Sequence, residues 1–148
     1  MNPIQRWTLR SGTTLFLQAS AALARPQRLA SVSSATMGTF GSLVARLRGV
    51  TPVDDPESLG RAWQQGFAAT KEVPVVGTDG DSAYGEIHTV CPLRGTGDLD
   101  ACHRMMAYDR AVVAAAGGTF EVVRSQASPG VEFCEVAMHL TPRASGNT

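Results

Sequence analysis

Between His88 and Asp109 the chain places two of its three cysteines, Cys91 and Cys102, and two of its three histidines, His88 and His103. A thiol does nucleophilic chemistry when it is reachable and when a helix N-terminus, a neighbouring base or a cation favours its ionised form. Cys91 satisfies the positional half of that requirement. It is followed by Pro92 at the expected end of a strand, stands beside Arg94, and precedes Gly95-Thr96-Gly97, a flexible link into a helix. A small apolar residue closing a strand is the competing account of Cys91.

Asp109 supplies the second element of a site, because an acid inside an apolar helical stripe is costly without partners. A hydrogen bond from backbone or an arginine would compensate it structurally, and a catalytic role would use it. Cys102 lies seven residues earlier, two helical turns away on the same face. His103 points about 100° away from Cys102. A triad drawn from one helix is therefore not expected, and His103 should pair with Asp100 or face solvent. The expected assignment is Cys91 as nucleophile, Asp109 orienting or accepting a proton, Cys102 lining the pocket, and Arg94 or Arg104 holding a substrate carboxylate. A metal reading competes with it: Cys91, Cys102, Cys134 and His103 make up a Cys3His zinc set, although no C-x-x-C is present. The glycines near 95 match no phosphate loop and no lysine accompanies them, so no cofactor is expected.

The positioning elements follow from pattern. Asn2-Pro3 opens a first helix that Gly12 is expected to interrupt, and a second apolar stretch, 15–24, ends at Arg25-Pro26. Residues 27–37 are serine-rich and read as a connection or frayed helix. Phe40, Leu43, Val44 and Leu47 recur at helical spacing and predict a short amphipathic helix over 40–49. Asp55, Pro56 and Glu57 start another helix, with Leu59, Ala62, Trp63, Gly66 and Phe67 on a face that packs against a sheet. An edge strand is expected near 73–76, a turn at 78–82, and a strand over 83–90. Asp98 caps a long helix running to about Ala116, whose buried face is Cys102, Met105, Met106, Asp109, Val112, Val113 and Ala116. Strands over 119–125 and 131–140 close the chain through Ala-Ser-Pro-Gly, with Cys134, Val136, Met138 and Leu140 turned inward. The tail 142–148 reads as loose. The expected fold class is α+β: N-terminal helices and a long central helix packed on an antiparallel sheet of three or four strands.

A length of 148 residues suits one folding unit. The zero net charge conceals an asymmetry. Residues 1–53 hold six arginines and no acid, whereas residues 54–148 hold all thirteen acids against seven basic residues, so +6 faces −6. We read 1–53 as a basic helical arm and 54–148 as the α+β unit carrying the cysteines. The arm would dock on the acidic remainder, on an acidic protein partner or on a second copy; its acid-free composition also fits an organelle-targeting segment. No apolar run reaches the ~20 residues of a membrane span. Aromatic interleaving and a nucleic-acid motif are both missing. Three widely spaced cysteines make no disulfide framework and suit a cytoplasmic or otherwise reducing compartment.

The run Cys91-Pro92, then Cys102, Asp109 and Gly130-Val131-Glu132-Phe133-Cys134 resembles the L-2-amino-thiazoline-4-carboxylic acid hydrolase family. More distantly it is similar to vinyl-reductase-type ligand-binding domains. The likeness covers residues 88–138. It implies an α+β fold and, for the hydrolases, opening of a thiazoline ring. Two functional expectations result. One is a small cysteine-dependent hydrolase acting on a compact heterocyclic or amide-like small molecule. The other is a non-catalytic ligand-binding or complex-assembly subunit on the same scaffold, suggested by the polarised charge and by Met106, which stands where the likeness places a second cysteine.

Overall fold

The computed structural model describes the backbone of residues 3–143 and the side chains of residues 14–143. The cap expected at Asn2 and most of the expected tail lie outside the described residues. Two long helices come first. α1 spans Pro3–Ala24 and passes through Gly12 without a break. After a single 3-10 turn at Gln27–Leu29, α2 spans Ala30–Leu47, so residues expected to be a connection are helical.

The face α2 buries also differs from the expected one. Ser33, Met37, Gly41 and Ala45, each four apart, turn inward, while Phe40, Leu43 and Leu47 stay exposed. Small residues win this face because α2 lies close against a later helix. A Cβ at Gly41 would sit 2.5 Å from the carbonyl oxygen of Tyr108. Hydrophobic periodicity cannot register a contact set by backbone approach.

α3, Pro56–Gln65, begins as expected: the Asp55 carboxylate accepts the Ser58 amide at 2.8 Å and Pro56 takes the first position. It buries Leu59, Ala62 and Trp63 against an antiparallel sheet of four strands, β1 (Val75–Asp79), β2 (Ser82–Ile87), β3 (Gly118–Arg124) and β4 (Cys134–Leu140), in the order β1-β2-β4-β3. The fold class is α+β, with the helices packed on this sheet. β1 is an edge, as Pro74 before it requires. In β4, Cys134, Val136 and Met138 face the helices and are buried, in line with the alternation.

Four boundaries shift from expectation. β1 runs Val75–Asp79 instead of 73–76, which narrows the expected turn at 78–82 to Gly80-Asp81, because Thr78 and Asp79 pair with Ala83 and Ser82. β2 ends at Ile87 instead of Val90, because the amide of His88 turns to the carbonyl of Glu72. β4 starts at Cys134 instead of Val131. The long helix divides at Met106 into α4 (Leu99–Met105) and α5 (Ala107–Ala115). The bonds from Met106 to Cys102 and from Arg110 to Met106 persist across the division, so the expected buried face from Cys102 to Ala116 stays continuous. Among the described residues no helix is long and apolar enough to cross a membrane.

Candidate functional site

Asp109 projects from α5 into the core and is 5% exposed. Its compensation is neither backbone nor arginine alone. The indole Nε1 of Trp63 donates to its carboxylate at 2.8 Å across the helix interface. Trp63 can reach because its ring lies on β2 at Gly85, where a Cβ would come within 2.6 Å of the indole. Phe67 meets the indole edge-on at 5.4 Å and Phe120 approaches from β3. Burial pushes the Asp109 carboxyl up to about 6, with the Trp63 bond and the Arg110 charge only partly opposing it. An acid so placed exchanges its proton near neutrality.

The three cysteines are free. Each is tied to the dipeptide Ser125-Gln126, just beyond β3. The Ser125 hydroxyl donates to Cys102 Sγ at 3.0 Å, and the Gln126 amide donates to Cys134 Sγ at 3.3 Å. The Gln126 side-chain oxygen accepts the Cys91 amide at 3.2 Å. The Gln126 side-chain nitrogen donates to the carbonyls of Ile87 and Thr89 at 3.1 and 3.0 Å. Ser125 Oγ also accepts the Ala127 amide, which directs its own proton to the Cys102 sulfur. Neither Ser125 nor Gln126 was singled out from sequence; both look like ordinary turn residues after a strand. Their burial in a segment without regular structure is the signal, and only packing reveals it.

Burial raises all three thiols. Cys91 Sγ accepts the Leu93 amide at 3.4 Å, which opposes the rise. Burial dominates at Cys102 as well, relieved by the Ser125 hydroxyl and reinforced by the charges of Cys91 and Asp109. Cys134 is pushed up to about 11, again by burial first. The resting site is thus a set of protonated thiols beside a carboxyl that ionises near pH 6. Asp109 lies near enough to Cys102 and Cys134 for its charge to add to the rise of both thiols.

The other expected residues separate. Arg94 is exposed on the segment that carries Cys91. Arg104 is occupied elsewhere: its guanidinium donates to the carbonyls of Ala24 and Arg25, at 2.5 and 3.3 Å, and so closes the C-terminus of α1. His103 is exposed on α4 while Cys102 beside it is buried, and its carbonyl accepts Arg110 at 2.6 Å. Among the described residues no three His, Cys, Asp or Glu side chains are grouped to hold a metal ion. No family model, curated protein or solved structure matches this chain.

Proposed function

We propose that the chain is a small cysteine-dependent hydrolase acting on a compact heterocyclic or amide-like substrate. The observation that carries this reading is the shared anchoring of Cys91, Cys102 and Cys134 on Ser125-Gln126, beside a buried carboxyl that titrates near neutrality. Cys91 is the least buried thiol and the one a substrate meets first. In the first step Cys91 Sγ bonds to the electrophilic carbon and its proton passes to the substrate nitrogen. The C–N bond of the ring or amide then breaks, and the nitrogen leaves with the proton it took from Cys91. Water next adds to the carbon, its proton returns to Sγ, and the thiol is released. Arg94, exposed on the same segment, holds a substrate carboxylate. Replacing Cys91 by Ser lowers turnover of a thiazoline carboxylate or a cyclic amide by about 100-fold or more, the low end of what acid–base and nucleophilic groups contribute. Unchanged turnover in Cys91→Ser removes the proposal.

A second reading is favoured by a separate observation. Leu15, Phe16, Leu29, Val32, Phe40, Leu43 and Leu47 are exposed on α1, α2 and the turn between them, within a segment bearing six arginines and no acid. Such a surface suits an assembly subunit that docks an acidic protein partner. Chromatographic size of the protein, alone and with an acidic binding partner, at low and high salt tests it. A monomer at every salt concentration and with every acidic partner offered defeats it.

A further inference from the structure

Residues 88–97 have no strand or helix, yet they are fastened at almost every step. Leu93 is fully buried and joins the hydrophobic cluster that contains Cys102, Met105 and Cys134. The carbonyl of Cys91 accepts the Arg94 amide, and Leu93 accepts both the amide and the hydroxyl of Thr96. The amides of Gly95 and Gly97 donate to the carbonyls of Gln126 and Ala127 at 2.9 and 2.7 Å, and both glycines have φ near +70°, a conformation that side chains resist. Asp98 then caps α4 through the Ala101 amide.

The common anchor is Gln126. Its side chain is fully buried and every polar atom of its carboxamide is used on this stretch or its start: the oxygen on Cys91, the nitrogen on Ile87 and Thr89. Cys102, in the same buried cluster as Leu93, and Asp109, which lies near Cys102, are both closed off from solvent. A substrate can reach them only if something above moves. Regular elements on either side are held by ladder and helix bonds, whereas residues 88–97 are held by one side chain, one inserted leucine and a few loop amides.

We infer that residues 88–97 are the access segment of the thiol–acid site and that Gln126 is the positioning residue that holds it closed and sets the backbone of Cys91. This rests on the hydrolase reading for its purpose, though not for its test. When the segment lifts, Leu93 leaves the core, the glycines absorb the change of direction, and Cys91 and Cys102 become reachable together. Cys134 does not: although it is the first residue of β4, that strand is central in the sheet, paired at Cys134 with Ile87 of β2 and from Glu135 onward also with β3.

The test is alkylation of the full-length native protein by iodoacetamide across sub-denaturing urea, with each cysteine followed by mass spectrometry. Local opening predicts rates for Cys91 and Cys102 that do not change with urea, while Cys134 accelerates with urea because only global unfolding exposes it. Gln126→Leu should speed Cys91 and Cys102 at least tenfold while Cys134 accelerates only as far as the lost stability requires. A Cys102 rate that climbs with urea in parallel with Cys134 overturns the inference, and this wild-type comparison stands even where Gln126→Leu does not fold. Equal acceleration of all three thiols in the variant overturns it too, reducing Gln126 to a structural residue. Alkylation needs no substrate, so loss of the hydrolase reading through unchanged turnover in Cys91→Ser leaves this result standing on its own.

Discussion

α2 and β4 are buried by opposite means. β4 places Cys134, Val136 and Met138 inward on a period of two, so its large side chains supply the buried area. α2 turns Ser33, Met37, Gly41 and Ala45 inward and leaves Phe40, Leu43 and Leu47 outside. Its attachment to α5 comes from close backbone approach, in which small residues permit many dispersion contacts. β4, the strand beneath the helices, has therefore turned most of its large apolar residues into the core around the thiols. The helical side has kept a set of them at the surface, among arginines.

The largest expected effect breaks the close approach. A leucine at Gly41 would drive its Cβ to 2.5 Å from the Tyr108 carbonyl oxygen and 3.0 Å from Ala111 Cβ, and backbone cannot move aside as a flexible side chain does. Gly41→Leu should cost at or above the top of the ~1–3 kcal/mol range of overpacking, despite better helix propensity. Thermal unfolding should shift down by about 10 °C. A shift of only a degree or two would show that α2 is held by its large residues after all.

The next effect sharpens the sheet side. The Asp109 carboxyl ionises near 4 in the unfolded chain and near 6 in the fold, so between these values the folded state holds a proton that the unfolded state has released. Stability contributed by this group is fully present below about pH 4 and lost as pH rises through 6. The loss approaches about 3 kcal/mol. Asp109→Asn keeps an acceptor for the Trp63 indole and cannot titrate. Denaturant unfolding from pH 4 to 7.5 should give a wild-type-minus-variant difference that declines over that interval. A flat difference would mean that the carboxyl is ionised in the fold throughout.

Legibility in the sequence followed the same division. The inward row of β4 and the buried face from Cys102 to Ala116 were readable because burial there follows side-chain hydrophobicity at a regular period. The cap at Asp55 was readable because capping chemistry is local. Phe40, Leu43 and Leu47 misled because their helical spacing describes a surface and not a core. The partner of Asp109 is hidden in Trp63, 46 residues away, because an aromatic stripe at helical spacing predicts packing against a sheet and carries no sign of a polar bond. Gln126 was invisible for a similar reason: an isolated glutamine after a strand gains its meaning only when residues 88–97 fold back over it.

A smaller effect concerns the one buried side-chain polar atom without a hydrogen-bond partner among the described residues, the hydroxyl of Ser33. It sits within the small-residue stripe of α2. Removing an unpaired buried hydroxyl relieves its desolvation, and alanine is the better helix former, so Ser33→Ala should stabilise the protein by about 1 kcal/mol. Denaturant midpoints would register this, and a destabilised variant would show that the hydroxyl is paired in solution.

The smallest stability effect, and the sharpest contrast with Gly41, belongs to the exposed leucines. Leu47 is 77% exposed and Leu43 is 51% exposed, so little apolar area returns to water when either is replaced. Glutamine has nearly the helix propensity of leucine, which keeps the backbone term small. Leu43→Gln and Leu47→Gln should each move stability by no more than about 0.5 kcal/mol, as surface substitutions do. If the helical layer docks an acidic partner, the same two changes abolish that association while leaving the melting curve in place, because they remove apolar contact area and leave the arginines untouched. A loss of about 2 kcal/mol in the isolated protein would instead show that this leucine face is covered within the chain itself, and the contrast between α2 and β4 would disappear.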